Sequence, residues 1–167
     1  VEKREAIARE IESGEIGIRQ IERASETLGE KGLAILLESM EAVSLRNPGL
    51  AEIGWLRFAG RWIDSASGSV KREASRLVGN LAARFPNDLS PAIEKLLENT
   101  SDSGTVVRWA SAYALARIVV LPEYAGGDLA QTVTAIAERE QNGGVKNQYL
   151  KALKRVKVKS DASSPEV

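Results

Sequence analysis

The side chains best suited to recognition chemistry fall in three segments of like pattern. They are Arg72, Arg76 and Asn80 in the first, Trp109, Tyr113 and Arg117 in the second, and Asn147, Lys151 and Arg155 in the third. Each set is spaced by four residues, which puts its members on one side of a helix. Guanidinium groups and aromatic rings offer large planar contacts with little loss of rotamer freedom, and both are enriched where proteins bind partners. No carboxylate occupies these positions, so the stripe suits a protein or peptide of acidic character. Arg72, Arg76, Asn80, Trp109, Tyr113, Arg117, Lys151 and Arg155 are the candidate partner-binding residues. A second reading stays open: Trp109 and Tyr113 pack on Arg72, Arg76 or a neighbouring helix, and the cations form a solvated face.

Catalytic chemistry is poorly provided for. The chain has no histidine and no cysteine, which removes the usual general base near neutral pH, the commonest transition-metal ligand, and thiol nucleophiles. Neither a metal-ligand cluster nor a glycine-rich phosphate loop is present, so the sequence supports no cofactor and the expectation is a non-enzyme. Trp55 and Trp62, two helical turns apart with Arg61 and Asp64 nearby, form the other aromatic constellation. Core packing accounts for them, with a role on nucleic acid as the alternative.

The 167 residues carry 23 cations against 23 acids. Residues 1–50 hold 7 basic and 10 acidic groups, 51–120 hold 9 and 7, and 121–167 hold 7 and 6, for net charges of −3, +2 and +1. Residues 141–160 contain six cations and no acid, a block that attracts anions or simply solvates a final helix. Nucleic acid is therefore a second possible partner, with phosphates held by Arg72, Arg76, Arg117, Lys151, Lys154 and Arg155. The overall neutrality and the pI near 6.6 weigh against it. No apolar run approaches bilayer length and the amino-terminal stretch is charged, so no membrane association is expected and a cytoplasmic protein is the simplest reading.

The elements that must position the stripe follow from a repeat. SVKREASRLVGNLAAR from Ser69 returns as VRWASAYALARIV from Val107 and VKNQYLKALKRV from Val145, the first valines Val70, Val107 and Val145 being 37 and 38 residues apart. Self-similarity at that period signals stacked helical units that cannot bury their apolar faces alone. With the first valine as position zero, positions 0, 4, 7, 8 and 11 share a side. Val70, Ala74, Leu77, Val78 and Leu81 are therefore core, with Val107, Ser111, Ala114, Leu115 and Ile118, and Val145, Tyr149, Ala152, Leu153 and Val156. Helices are predicted over 33–45, 50–66, 70–84, 90–98, 106–120, 128–140 and 145–157, with Ser69, Ser90, Thr105 and Asp128 as N-caps. Gly14 and Gly17 divide residues 2–28 into two short helices or bend a single one. Residues 158–167 are short and polar and are expected to form a flexible tail.

The second helix of each unit resembles that of the HEAT-repeat family. Its V-R-x-A-A-x-x-A-L-G-x-L type pattern is met by Val70, Lys71, Ala74, Val78, Gly79 and Leu81, and by Val107, Arg108, Ala114, Leu115 and Ile118. An aspartate before that V-R is matched by Asp102 with Arg108, and by Asp64 with Lys71. The third copy departs, with Asn142 in place of the aspartate and Lys154 at a small-residue position, as suits a solvent-facing end. The resemblance implies an all-α, right-handed superhelix of antiparallel helix pairs, a HEAT-like solenoid of the armadillo-like class, and a scaffold or protein-binding role. It places units at about 50–86, 89–121 and 128–157, preceded by degenerate helices over 2–46, in a single domain over 1–157. HEAT-like alkylation-repair DNA glycosylases supply the enzyme alternative; none of their residues maps onto this chain.

Overall fold

The computed structural model describes residues 1–162, with side chains through Lys157. Among these residues there are ten α-helices and no strand: α1 (Glu2–Ser13), α2 (Ile18–Ser25), α3 (Glu30–Arg46), α4 (Ile53–Trp62), α5 (Gly68–Leu81), α6 (Ser90–Asn99), α7 (Thr105–Val119), the one-turn α8 (Pro122–Ala125), α9 (Asp128–Arg139) and α10 (Gly143–Ala162). The fold is all-α. No helix among the described residues is long and apolar enough to cross a membrane.

The amino-terminal region makes two helices, because Gly14 takes φ 81° and its amide returns to the Ile11 carbonyl. Only glycine adopts that left-handed conformation without strain. Four differences from the sequence reading have local causes. Helix α4 is shorter than residues 50–66, because Pro48–Leu50 form a 3-10 turn and Ala51 and Glu52 are extended. The expected caps Ser69, Ser90, Thr105 and Asp128 stand inside their helices, whose N-caps are Ser67, Leu89, Gly104 and Gly127 without side-chain cap bonds. Pro122 starts the short α8, whose Tyr124 Oη donates to the Pro86 carbonyl at 2.7 Å. Helix α10 runs past Lys157 to Ala162, since no glycine or proline interrupts it there; residues 163–167 of the expected tail lie outside the described residues.

Alternate helices pack on one another in chain order: α1 on α3, α3 on α5, α5 on α7 and α7 on α10. Partners advance together along both members of each contact. Arg4 meets Glu38 while Glu12 meets Arg46; Glu41 meets Arg76 while Ser44 meets Asn80; Lys71 meets Asp102 while Asn80 meets Tyr113. These inner helices therefore run in the same direction. The others cover them, α4 on α5, α6 on α7 and α9 on α10, and α4 meets α6 through Lys95 on the Gly60 carbonyl and Asn99 on the Ile63 carbonyl.

The periodic core positions of α5 and α7 are all buried, as are Val145, Tyr149 and Ala152 of α10. Leu153 and Val156 are only partly covered. Between α5 and α7 the approach is set by Gly79: a Cβ there would lie 3.0 Å from the Ala114 Cα and from the Tyr113 ring. Trp55 is buried, and Trp62 meets Phe58 edge-on at 6.4 Å between centroids. Both indoles belong to the packing around α4, as the core reading of that constellation requires.

Candidate functional site

The structure divides the candidate stripe into two parts. Arg72, Arg76, Asn80, Trp109 and Tyr113 are tied into the α3–α5–α7 contact, while Arg117, Lys151 and Arg155 line an open cleft.

In the first part, acids from off the stripe meet its cations. Arg76 Nη2 lies 2.7 Å from Glu41 Oε1, and Arg72 Nη2 lies 2.6 Å from Glu73 Oε1. Glu41 and Glu73 are buried, at 4% and 2% exposure. Burial pushes the Glu41 carboxyl up to about 8, helped by a hydrogen bond to Glu73, and Arg76 only partly opposes this. Beside a second carboxyl group in a poorly solvated site, the Glu41 carboxyl favours its protonated form. Glu41 was legible as an anomaly: in LAILLESMEAVSL it continues the helical series Leu33, Leu37 and Met40, where an apolar residue is expected.

The aromatic pair belongs to the same contact. Trp109 and Tyr113 are 5.5 Å apart between ring centroids, and the Arg76 guanidinium sits 5.9 and 5.7 Å from the two rings. Tyr113 is buried, so it is packed rather than presented, and its desolvation raises the phenol pKa. Its Oη donates to Asn80 Oδ1 at 2.5 Å, Asn80 Nδ2 donates to Ser44 Oγ at 3.0 Å, and that hydroxyl donates to the Glu41 carbonyl at 2.6 Å. This polar ladder crosses three successive inner helices and fixes their register. The continuous cationic ribbon expected from the sequence is therefore interrupted at Arg72 and Arg76.

The second part is a cleft of about 480 Å³ where the carboxyl-terminal halves of α5 and α7 meet α10. Its polar lining is Asn80, Arg117, Gln148, Lys151 and Arg155; its apolar lining includes Leu45, Ala83, Val120 and Leu121. Among the described residues no carboxylate lines it. Arg117 lies over Tyr113 at 3.4 Å from the ring centroid and donates to the Tyr113 carbonyl at 3.3 Å. The guanidinium is thus held at the rim while remaining exposed. Asn147, the remaining member of the stripe, is exposed and does not line this cleft. Lys154 faces a different cleft, with Gly126, Gly127 and Lys157.

The turn acids pair differently from the expectation. Asp102 binds Lys71 at 2.8 Å, and Arg108 binds Glu140 at 3.1 Å while donating to the Asp102 carbonyl. Asp64 pairs with Lys95 at 3.0 Å. These bridges reach across to a neighbouring helix or turn instead of closing one turn onto its own helix. The acceptor position lies five residues before each first valine, where Ser65, Asp102 and Glu140 accept the amides of Ser67, Gly104 and Asn142. Asp64 is one residue out of that register. Among the described residues no group of three or more His, Cys, Asp or Glu side chains could hold a metal ion.

No family model, curated protein or solved structure matches the chain. Function must be argued from these side chains alone.

Proposed function

We propose that the chain is a non-catalytic interaction module, a HEAT-like, right-handed solenoid of antiparallel helix pairs that holds a partner protein on the face of its inner helices. The repeat period, the same-direction packing of α1, α3, α5 and α7, and the ion pairs between successive turns support the solenoid. One observation carries the functional reading: Arg117, Lys151 and Arg155 converge from two neighbouring inner helices on a single cleft that, among the described residues, contains no carboxylate. Among the described residues Lys151 and Arg155 are in no ion pair and Arg117 is held by Tyr113 alone, whereas Arg72 and Arg76 are bound to buried acids.

The same division weakens the phosphate-binding alternative. Of the six cations suited to it, two are bound to buried acids and Lys154 faces elsewhere. The three that remain suit a local contact better than a track along a nucleic-acid backbone.

The test compares proteins captured by the immobilised chain and by its Arg117→Glu and Lys151→Glu variants, with melting temperature measured in parallel. Loss of one discrete captured species in both variants at unchanged melting temperature supports the module. Identical capture profiles would remove the inner face from consideration.

A further inference from the structure

We infer that the cleft bounded by α5, α7 and α10 is a binding site for an acidic peptide segment that places an apolar side chain next to a carboxylate. The inference rests on the interaction-module reading and specifies what the module takes.

Three features of the cleft define the ligand. The first is charge. Arg117, Lys151 and Arg155 line it, and among the described residues no acid does. Among the described residues Lys151 and Arg155 are in no ion pair, while Arg117 spends one nitrogen on the Tyr113 carbonyl and keeps its other donors. Unpaired like charges at one mouth repel each other, and an anion removes that repulsion. The second feature is the apolar wall made by Leu45, Val120 and Leu121. A phosphate or a free inorganic anion would leave this surface wet, whereas a leucine-sized side chain beside a carboxylate covers it and contributes the hydrophobic part of binding. The third is rigidity. Tyr113 holds Arg117 by stacking, and Asn80 is held between Ser44 and Tyr113, so part of the rim is ordered before the ligand arrives and less entropy is lost on binding.

The size agrees. About 480 Å³ lies in the range of pockets that accept a few side chains, and it is open at the surface like a groove for an extended segment. A polyphosphate chain would instead need cations along its path, and the path toward α3 is blocked by the Arg76–Glu41 and Arg72–Glu73 pairs.

The probe is the peptide N-acetyl-Asp-Leu-Glu-Leu-amide, titrated into isotope-labelled protein at low ionic strength and followed by amide shifts. Its carboxamide analogue N-acetyl-Asn-Leu-Gln-Leu-amide, inorganic phosphate and a short single-stranded oligonucleotide serve as comparisons. The expected result is saturable shifts at Ala116, Val120, Gln148, Lys151 and Ala152, weakened about tenfold or more by the carboxamide analogue and by Arg155→Glu. Arg155→Glu is chosen because Arg155 makes no described internal contact, so its fold should be unchanged. Absent shifts, or shifts centred elsewhere, would overturn the proposal. So would equal binding by the analogue, saturation by phosphate at the same residues, or tighter binding by the oligonucleotide. If a partner is captured through the inner face yet Arg155→Glu captures it equally well, this site fails while the module stands. If the peptide binds the cleft but no partner is captured, the reverse holds.

Discussion

Arg76 and Glu41 form an ion pair of 2.7 Å between α5 and α3, with the acid's side chain only 6% exposed and the guanidinium resting beside the rings of Trp109 and Tyr113. The pair joins three inner helices through one side chain. Removing the guanidinium leaves the buried Glu41 carboxyl without its 2.7 Å partner, and an unsatisfied buried polar group costs more than replacing both partners by apolar groups. Arg76→Ala is therefore expected to lower stability by ~1–3 kcal/mol, and adding Glu41→Leu should recover much of it. Urea denaturation of the single and double variants measures both.

The same acid gives the fold a pH dependence. Glu41 faces Glu73 and Arg76 from α5, Glu38 on its own helix, and Tyr113 from α7. Its carboxyl is raised from an ordinary 4.5 to about 8 by burial first and by Glu73 second. The folded state thus binds the proton more tightly than the unfolded chain. That contribution is fully present below pH 4.5 and is lost as pH rises toward 8, at a limiting ~1.4 kcal/mol per pH unit. Wild-type stability should fall between pH 5 and pH 8, and Glu41→Gln should flatten the profile over that interval. An unchanged slope in the variant would show that Glu41 holds no proton in the folded state.

Gly79 offers a test in which two effects oppose each other. Alanine in a helix interior is better than glycine by ~1 kcal/mol from propensity alone. Here the added methyl would stand 3.0 Å from the Ala114 Cα and from the Tyr113 ring. The backbone atom cannot step aside without parting α5 from α7, so overpacking should prevail and destabilise by ~1–3 kcal/mol. Thermal melting of Gly79→Ala decides the sign. Leu115→Ala, at a fully buried position of α7, should cost ~2–5 kcal/mol and calibrates the comparison.

What the sequence shows and hides follows from which interactions are local. The periodicity of Val70, Ala74, Leu77 and Val78 reports one helix against its surroundings, and those side chains are buried as the spacing requires. The spacing puts the stripe across the helix from those positions, yet the surroundings of its side chains are not visible in it. Glu41 is 35 residues from Arg76, so nothing in the stripe itself announces that acid, whereas Glu73 stands next to Arg72 in the sequence and only its burial is hidden there. Tyr113 illustrates the same limit: helical geometry sets its direction, but only the neighbouring α5, with a glycine at 79, makes that direction an interior. The turn acids fail for a related reason. Pairing Asp102 with Arg108 assumes that a nearby cation is the partner, whereas stacking brings Lys71 of the preceding unit closer.

The packing of α5 on α7 makes Lys71 and Asp102 a measurable joint between the two helices. Asp102 accepts the Gly104 amide at 2.8 Å and the Lys71 ammonium at 2.8 Å. Lys71 above all holds its carboxyl below the usual 3.8, with the Gly104 amide also lowering it and burial opposing both. The stabilisation is therefore present above pH 3.8 and is lost as pH falls through the depressed value. Both side chains are about one-fifth exposed, so salt should screen the pair only in part. A double-mutant cycle of Lys71→Met and Asp102→Asn should give a coupling of ~0.5–1 kcal/mol. Asp102→Asn alone should cost less than Asp102→Ala, because the amide oxygen still accepts the Gly104 N–H that starts α7. Coupling of that size near neutral pH that vanishes in acid would locate it in the ion pair; coupling that persists there would assign it to the turn.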